Sequence, residues 1–404
     1  MSTSLLYHIF NLWGYVQQTV RFWKGGIVFV LSLRREAINC PECGYMEIIR
    51  QGTVTRRLRS VPIGKKPIWF EVEFQRVECR RCGVLRLTGL GIADPKRRYT
   101  KAFARYALEL SKHMTIKDVA RHLDVGWDLI KEIQRTYLEK KYARPKLKHL
   151  RWIAIDEISI GRGHRYLTVV LDLKSGAVVF VGDGKGADAL DPFWKRIWAS
   201  HARIEAVAID MSAAYIDAVT RNLKKAVIVF DHFHILKLFN DKLSQLRREL
   251  HREATDKLHK KVLKGTRWLL LKNPDHLDET HDERKRLDEA LRMNQPLATA
   301  YYLKEELREL WSQASKRDAR RFLNDWCRRA EASGIPILVT FAHTLAKHRE
   351  GILAWYNYPI STGPLEGTNT KIRVMQRQAY GFRDPEFFKL KIFGLHETKI
   401  ALVG

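Results

Sequence analysis

The chain has 404 residues, enough for two or three domains at roughly 150 residues each. A hydrophobic fraction of 45% with 10% aromatics builds packed cores and excludes a disordered tail protein. Lysine and arginine number 72 against 45 acidic residues, a formal net charge of +27, which points to a polyanionic partner: nucleic acid first, an anionic membrane surface well behind.

The longest apolar run, Gly25 to Leu33, is too short to span a bilayer and reads as a strand. The opening MSTSLLYHIFNLWGY lacks the basic and long apolar regions of a secretory signal, so a cytoplasmic protein is expected. Of five cysteines, four fall in two close pairs, which in a cytosolic chain favours metal over disulfides. Cys40-Pro-Glu-Cys43-Gly and Cys79-Arg-Arg-Cys82-Gly are CxxC knuckles, each followed by a glycine that lets backbone amides face the sulfurs. Four thiolates make a closed tetrahedral Zn2+ site, structural rather than catalytic. Between the knuckles, residues 47–50, 61–62 and 68–77 alternate like short strands, with Gly52 and Gly64-Lys65-Lys66 as turns, and the whole reads as a zinc ribbon.

From Lys96 to Lys148 the pattern turns helical, with 15 basic against 6 acidic residues. Thr100 caps a first helix striped by Phe103, Tyr106, Ala107 and Leu110. Thr115 caps a short second helix carrying Arg121. After the turn Asp124-Val125-Gly126, a third runs from Trp127 to about Lys140 with Ile130, Ile133 and Tyr137 inward. This is a helix-turn-helix pattern, and Lys131 and Arg135 on the outer face of the third helix are candidates, with Arg121, for gripping DNA.

At Arg151 the period becomes two. Strands are expected over 152–160, 166–173, 177–181, 204–209 and 226–230, with helices over 186–198 and 212–223, an order that fits a mixed α/β sheet of ribonuclease H-like type. Asp156 lies inside the first, otherwise apolar strand, and Asp210 ends a later one. Buried strands rarely hold a carboxylate without a partner or a metal. Two aspartates on neighbouring strands repel unless cations such as Mg2+ or Mn2+ lie between them, and two such ions can hold both oxygens of a phosphodiester displacement. Glu157, next to Asp156, points to the other face of the strand. Asp210 is also placed to cap the following helix.

Near the C-terminus, STGPLEGTNTKIRVMQR places Pro364 in the first turn of a helix. Glu366, Asn369, Arg373 and Arg377 then share one face, an acid beside an amide and two guanidiniums suited to phosphate. From 232 to 347 the chain reads as helical, with Ile235, Phe239, Leu243, Leu246 and Leu250 as a stripe and Trp268, Trp311 and Trp326 packing a second core; Cys327 reads as a small buried apolar residue.

On the knuckles, the helix-turn-helix, IAIDEISIGRG, VAIDMSAAY, VFDHFHILKLFN and STGPLEGTNTKIRVMQRQAYGFRDPEFFKLKI, the chain resembles bacterial insertion-sequence transposases of the ISL-three family. That resemblance implies a DDE transposase with a ribonuclease H-like catalytic domain interrupted by an all-helical insertion. It makes Asp156, Asp210 and Glu366 the catalytic, metal-holding triad, and gives Asp231 and His234 of an Asp-x-x-His motif a supporting role. It implies double-stranded DNA partners, the element's terminal inverted repeats and its target, and a homodimer or larger assembly. The segments expected are a ribbon region (1–95), a helix-turn-helix (96–147), a first catalytic part (148–231), the insertion (232–347) and a last catalytic part (348–404), a multidomain α+β protein. A DNA-binding regulator without catalysis and a nuclease without strand transfer are the alternatives.

Overall fold

The computed structural model describes residues 5–10, 12–88, 91–161 and 163–397. Outside it lie residue 162 of the turn expected at 161–164, positions 1–4 and 11 of the opening segment, and 398–404 of the last expected segment. The described chain forms two compact units, one of residues up to Ala143 with Met375–Leu390, the other of Arg144–Val374 with Lys391–His396.

In the first unit, α1 (Leu5–Phe10) precedes strands β1 (Tyr15–Trp23), β2 (Gly26–Leu33), β3 (Ile48–Ile63), β4 (Lys66–Cys79) and β5 (Leu85–Leu87). They pair in the order β1-β2-β4-β3, with β5 also on β4. Lys24 and Gly25, both at positive φ, close the β1–β2 hairpin, and Gly64 (φ +58) turns β3 into β4. The expected turn at Gly52 is instead a bulge inside the single long strand β3: the register slips between Arg50 and Thr53, and glycine takes the φ of +112 needed there. Leu58, Ile68, Phe70, Val72 and Phe74 bury one face with Phe10 and Leu12.

Helices α2 (Lys101–Leu110), α3 (Ile116–His122) and α4 (Trp127–Tyr142) follow. Thr100 and Thr115 cap as the sequence indicates, accepting from the amides of Phe103 and Asp118. Phe103, Val119, Ile130 and Ile133 form the bundle core. Tyr137, expected inward, is 39% exposed; Gln134 is the side chain turned in, since the contact face of α4 drifts round the helix beyond Ile133. Arg59 joins sheet and bundle: it is buried over Trp69 and Phe103, and its guanidinium donates to the Leu123 carbonyl at 2.7 Å.

The second unit is built on β6 (Trp152–Gly161), β7 (Arg165–Asp172), β8 (Val178–Asp183), β9 (Ala206–Ile209) and β10 (Val227–Phe230), in the order β10-β9-β6-β7-β8. β6, β7 and β8 are an antiparallel meander, while β9 and β10 add parallel to β6. Helices α5 (Asp191–Ser200) and α6 (Ala213–Asn222) connect the later strands. There follow α7 (His232–Glu253), α8 (Lys257–Gly265), α9 (Glu283–Arg292), α10 (Gln295–Leu307), α11 (Lys316–Ala332), α12 (Pro336–Lys347) and α13 (Arg349–Leu353), and then α14 (Gly363–Gln378) and α15 (Pro385–Phe393).

The helices after β10 do not pack a separate second core. Ile235, Phe239 and Leu243 of α7 belong to one continuous cluster with Val207, Ile209 and Phe230 of the sheet and with Trp326 and Phe341. Trp326 is fully buried, edge-on to Phe239 and Phe341, whereas Trp268 is 64% exposed beneath Arg267. Cys327 is buried as expected. Helix α13 lies so close to β10 that a Cβ on Gly351 would meet the Phe230 ring at 2.4 Å. Alanine normally gains about 0.5–1 kcal/mol over glycine inside a helix, but here the buried ring cannot give way. Gly351→Ala should therefore lower stability by about 1–3 kcal/mol, the usual cost of overpacking, as measured by urea denaturation.

Candidate catalytic site and metal-binding knuckle

Parallel pairing fixes which strand residues stand level. Ala154 pairs with Ala208, so Asp156, midway along β6, and Asp210, just past the end of β9, each two positions further on, lie level with one another. Phe230 pairs with Ile209, which sets Asp231 beside Asp210 in turn. Three aspartates thus stand level across three adjacent strands, Asp210 and Asp231 just past the ends of β9 and β10 and Asp156 within β6, each following an apolar run: WIAID, AVAID and VIVFD. Burial pushes the Asp156 carboxyl up to about 6, with the neighbouring Glu157 and Asp210 charges raising it further against the lowering effect of the Glu157 amide and His234. Asp210 commits Oδ1 to the Ser212 amide at 2.9 Å, the turn-capping bond that its position suggested, without leaving the row.

Asp231 is 2% exposed and its pKa is held below the usual carboxylate range, despite burial, by His234 and Thr362. The Thr362 hydroxyl donates to Asp231 Oδ2 at 2.8 Å, and His234 Nδ1 lies 3.4 Å from the same oxygen. Asp231 first, with Asp156 and Asp210 beyond, raises the His234 pKa. Glu157, on the other face of β6, has Oε2 buried without a hydrogen-bond partner; burial and then Asp210 raise its pKa.

Helix α14 brings the third acid. Thr362, immediately before it, is tied to Asp231 on β10, and Asn369 Nδ2 donates to Asp156 Oδ2 on β6 at 2.9 Å. Seven residues of helix rise about 10.5 Å, close to the roughly 9.6 Å of two strand spacings. The helix therefore crosses from β10 to β6, with Glu366 about one turn from either tie. Glu366 is exposed and Asn369 is 2% exposed. Among the described residues, the only group of three or more potential ligands within 4.8 Å of one another is the four cysteines, so the acids are neighbours without closing to ligand distance.

At the knuckles, Cys40 and Cys82 sulfurs lie 3.6 Å apart, as do those of Cys43 and Cys79. A tetrahedron with metal–sulfur bonds of about 2.3 Å has edges of about 3.8 Å, so the set fits zinc. Both knuckles turn alike, through Gly44 and Gly83 at positive φ with amides bonded to the Cys40 and Cys79 carbonyls. The Cys43 amide draws the Cys40 thiol down to about 6, readying it as a thiolate ligand.

Residues 153–392 match the family model of the ISL3 DDE transposases, described as transposase. The chain belongs to this transposase family. Residues 90–138 match the helix-turn-helix domain of transposase family ISL3, and residues 36–82 the zinc-finger of the transposases of IS204, IS1001, IS1096 and IS1165. Over 363 residues the chain is 35% identical to the transposase for insertion sequence element IS1001 of Bordetella parapertussis, covering 87% of each protein. It is 29% identical over 372 residues to the transposase for IS1557 of Mycobacterium tuberculosis, covering 86% of this chain and 83% of that one. A faint likeness, at 13% identity and a TM-score of 0.33, links 64% of this chain to 79% of a chain in the Drosophila P element transposase strand transfer complex. The transposase is thus an enzyme of DNA transposition with a zinc ribbon and a helix-turn-helix.

The proposed DNA contacts of this transposase fare differently from one another. Arg121, Arg373 and Arg377 are exposed. Lys131 and Arg135 instead share one partner, Asp384, just before α15; Lys131 Nζ is 2.9 Å from it, and both cations lie over Phe387. Lys131, then the Phe387 amide and Arg135, hold the Asp384 carboxyl down to about 2. Nothing local to the sequence announces that contact across 249 positions. The thrice-repeated apolar run ending in aspartate was a signal that could have set Asp231 in the row.

An acid whose folded pKa is raised destabilises the fold above that pKa and is neutral to it below the unfolded value. In metal-free buffer at pH 7.5, Asp156→Asn, which can still accept from Asn369, should stabilise the protein by on the order of 2 kcal/mol. The gain in melting temperature should shrink below pH 6 and vanish near pH 4.

Proposed function

We propose that Asp156, Asp210 and Glu366 form the catalytic triad of this transposase, in a ribonuclease H-like domain interrupted by the helical insertion over 232–347. The observation that carries this is α14, tied through Thr362 to Asp231 and through Asn369 to Asp156, across the parallel strands that set Asp156 level with Asp210. The donor set is all carboxylate oxygen, suited to Mg2+ or Mn2+ rather than zinc, and the unrelieved charge at Asp156 is what a divalent cation would neutralise. Such ions, when bound, supply Lewis-acid activation of the attacking water or 3′-hydroxyl and stabilise the leaving oxygen. The protein's own part is to hold the acids on a rigid sheet and a packed helix, so that the scissile phosphate meets them in fixed geometry. Asp231 and His234 back the row from β10 and α7.

The ribbon, with zinc on Cys40, Cys43, Cys79 and Cys82, and the helix-turn-helix bind the element's inverted ends; Arg121, Arg373 and Arg377 contact phosphates. Two ends joined in one reaction call for a dimer or larger assembly. The described helices include none long and apolar enough to cross a membrane, and the basic chain works on DNA in the bacterial cytoplasm.

Labelled duplex carrying the element's own end should be cut by the wild type in magnesium and not in a chelator. Asp210→Asn and Glu366→Gln should each reduce cutting by about 10³-fold or more while still binding the duplex, as expected when charge stabilisation in the transition state is lost. Cutting that survives Asp210→Asn would refute the triad, and cut ends that never appear joined to another strand would leave a nuclease. Stripping zinc with a thiol-selective chelator should unfold the ribbon, seen as loss of metal and of end binding together. Asp384→Asn frees Lys131 and Arg135; if they meet phosphates, duplex affinity should rise and the slope of log affinity against log salt should steepen by up to about 2.

A further inference from the structure

Asn369 was a candidate for DNA contact because it shares a helix face with Glu366, Arg373 and Arg377. In the structure it is enclosed: 2% exposed, with Nδ2 on Asp156 Oδ2 at 2.9 Å and Oδ1 buried without a partner. A side chain so enclosed offers a phosphate no surface. Its single hydrogen bond joins the helix of one acid to the strand of another, 213 positions earlier. At the other end of the same seven-residue span, Thr362 sends its hydroxyl to Asp231 instead of capping its own helix, while its carbonyl accepts the Glu366 amide at 2.9 Å. Glu366, itself exposed, thus stands between two buried ties, one to each outer strand of the aspartate row.

We propose that Asn369, with the Thr362–Asp231 hydrogen bond as its counterpart, is a positioning residue that sets α14 in register on the sheet, so that Glu366 overhangs Asp210 and completes the divalent-metal site. This rests on the triad proposed above. The amide does a second thing at Asp156. By occupying Oδ2 as a donor, it orients the carboxylate and leaves Oδ1 as the oxygen offered to an ion. A donor at that place is compatible with the ionised acid, whereas a carboxylate there would repel it. Thr362 carries the other tie through a hydroxyl donor, which valine, of nearly the same shape, lacks.

The test uses the full-length chain, with Mn2+ affinity measured by electron paramagnetic resonance in the absence of DNA, end-duplex affinity by fluorescence anisotropy, and cleavage as a function of magnesium. Asn369→Ala should weaken Mn2+ binding about tenfold and raise the magnesium needed for half-maximal cleavage by a similar factor, with duplex affinity within twofold of wild type. Asn369→Leu, which keeps roughly the size but has no donor and supplies the reading if the alanine chain does not fold, should weaken Mn2+ binding by a similar factor. Thr362→Val should move the same two quantities in the same direction, by less. Unchanged Mn2+ affinity in the variants that fold would overturn the proposal, as would a loss confined to duplex affinity, the signature of direct DNA contact. Asp210→Asn runs alongside: if it still cuts, the triad fails whatever Asn369 does, and if it is inert while Asn369→Leu binds Mn2+ as the wild type does, only the positioning role fails.

Discussion

Repulsion between carboxylates held side by side is the constraint around which the second unit is organised. Asp156, Asp210 and Asp231 stand level on three neighbouring parallel strands, where the chain can neither spread them apart nor turn them all to water. The fold relieves this unevenly. Asp231 has one oxygen held by a hydroxyl and an imidazole, with its Oδ1 buried without a hydrogen-bond partner, Asp210 takes up one amide of its own turn, and Asp156 keeps a charge that burial disfavours. The protein thus supplies donors to part of the row and leaves carboxylate oxygens that a cation would satisfy.

Much of this was readable in the sequence because it depends on periodicity. Apolar runs marked the strands of the meander and both parallel additions within a residue or two, the threonines marked two helix starts, and the cysteine spacing marked the knuckles. What was not readable depends on distance in space. Trp268 looked like core material by type, but its neighbours leave it in solvent. Tyr137 sat at a helical spacing that the actual contact face drifts away from, and Gln134 took its place. Gly52 looked like a turn because glycine serves turns and bulges alike; only the register of β3 on β4 tells which.

The site shows the same division. The positions of Asp156, Asp210 and Glu366 along the chain were legible from strand ends and a helix start. The ties of α14 to the sheet were not, since they rest on Asn369 and Thr362, whose partners come from burial and distance in space rather than from residue type. The same holds for Lys131 and Arg135, which a helix projection showed as a free basic face and which in fact share Asp384 as an ion-pair partner.

The single continuous core beneath the sheet and the helices after β10 has a consequence for how the enzyme comes into being. Because α7 buries its stripe in the sheet's own interior and the proposed third acid, Glu366, follows all of those helices, the proposed cutting centre can exist only after the helices over 232–347 have been made. On that proposal, a nascent chain short of α14 already carries the ribbon and helix-turn-helix segments yet lacks one of its acids, so the order of residues delays hazardous chemistry until those helices are in place.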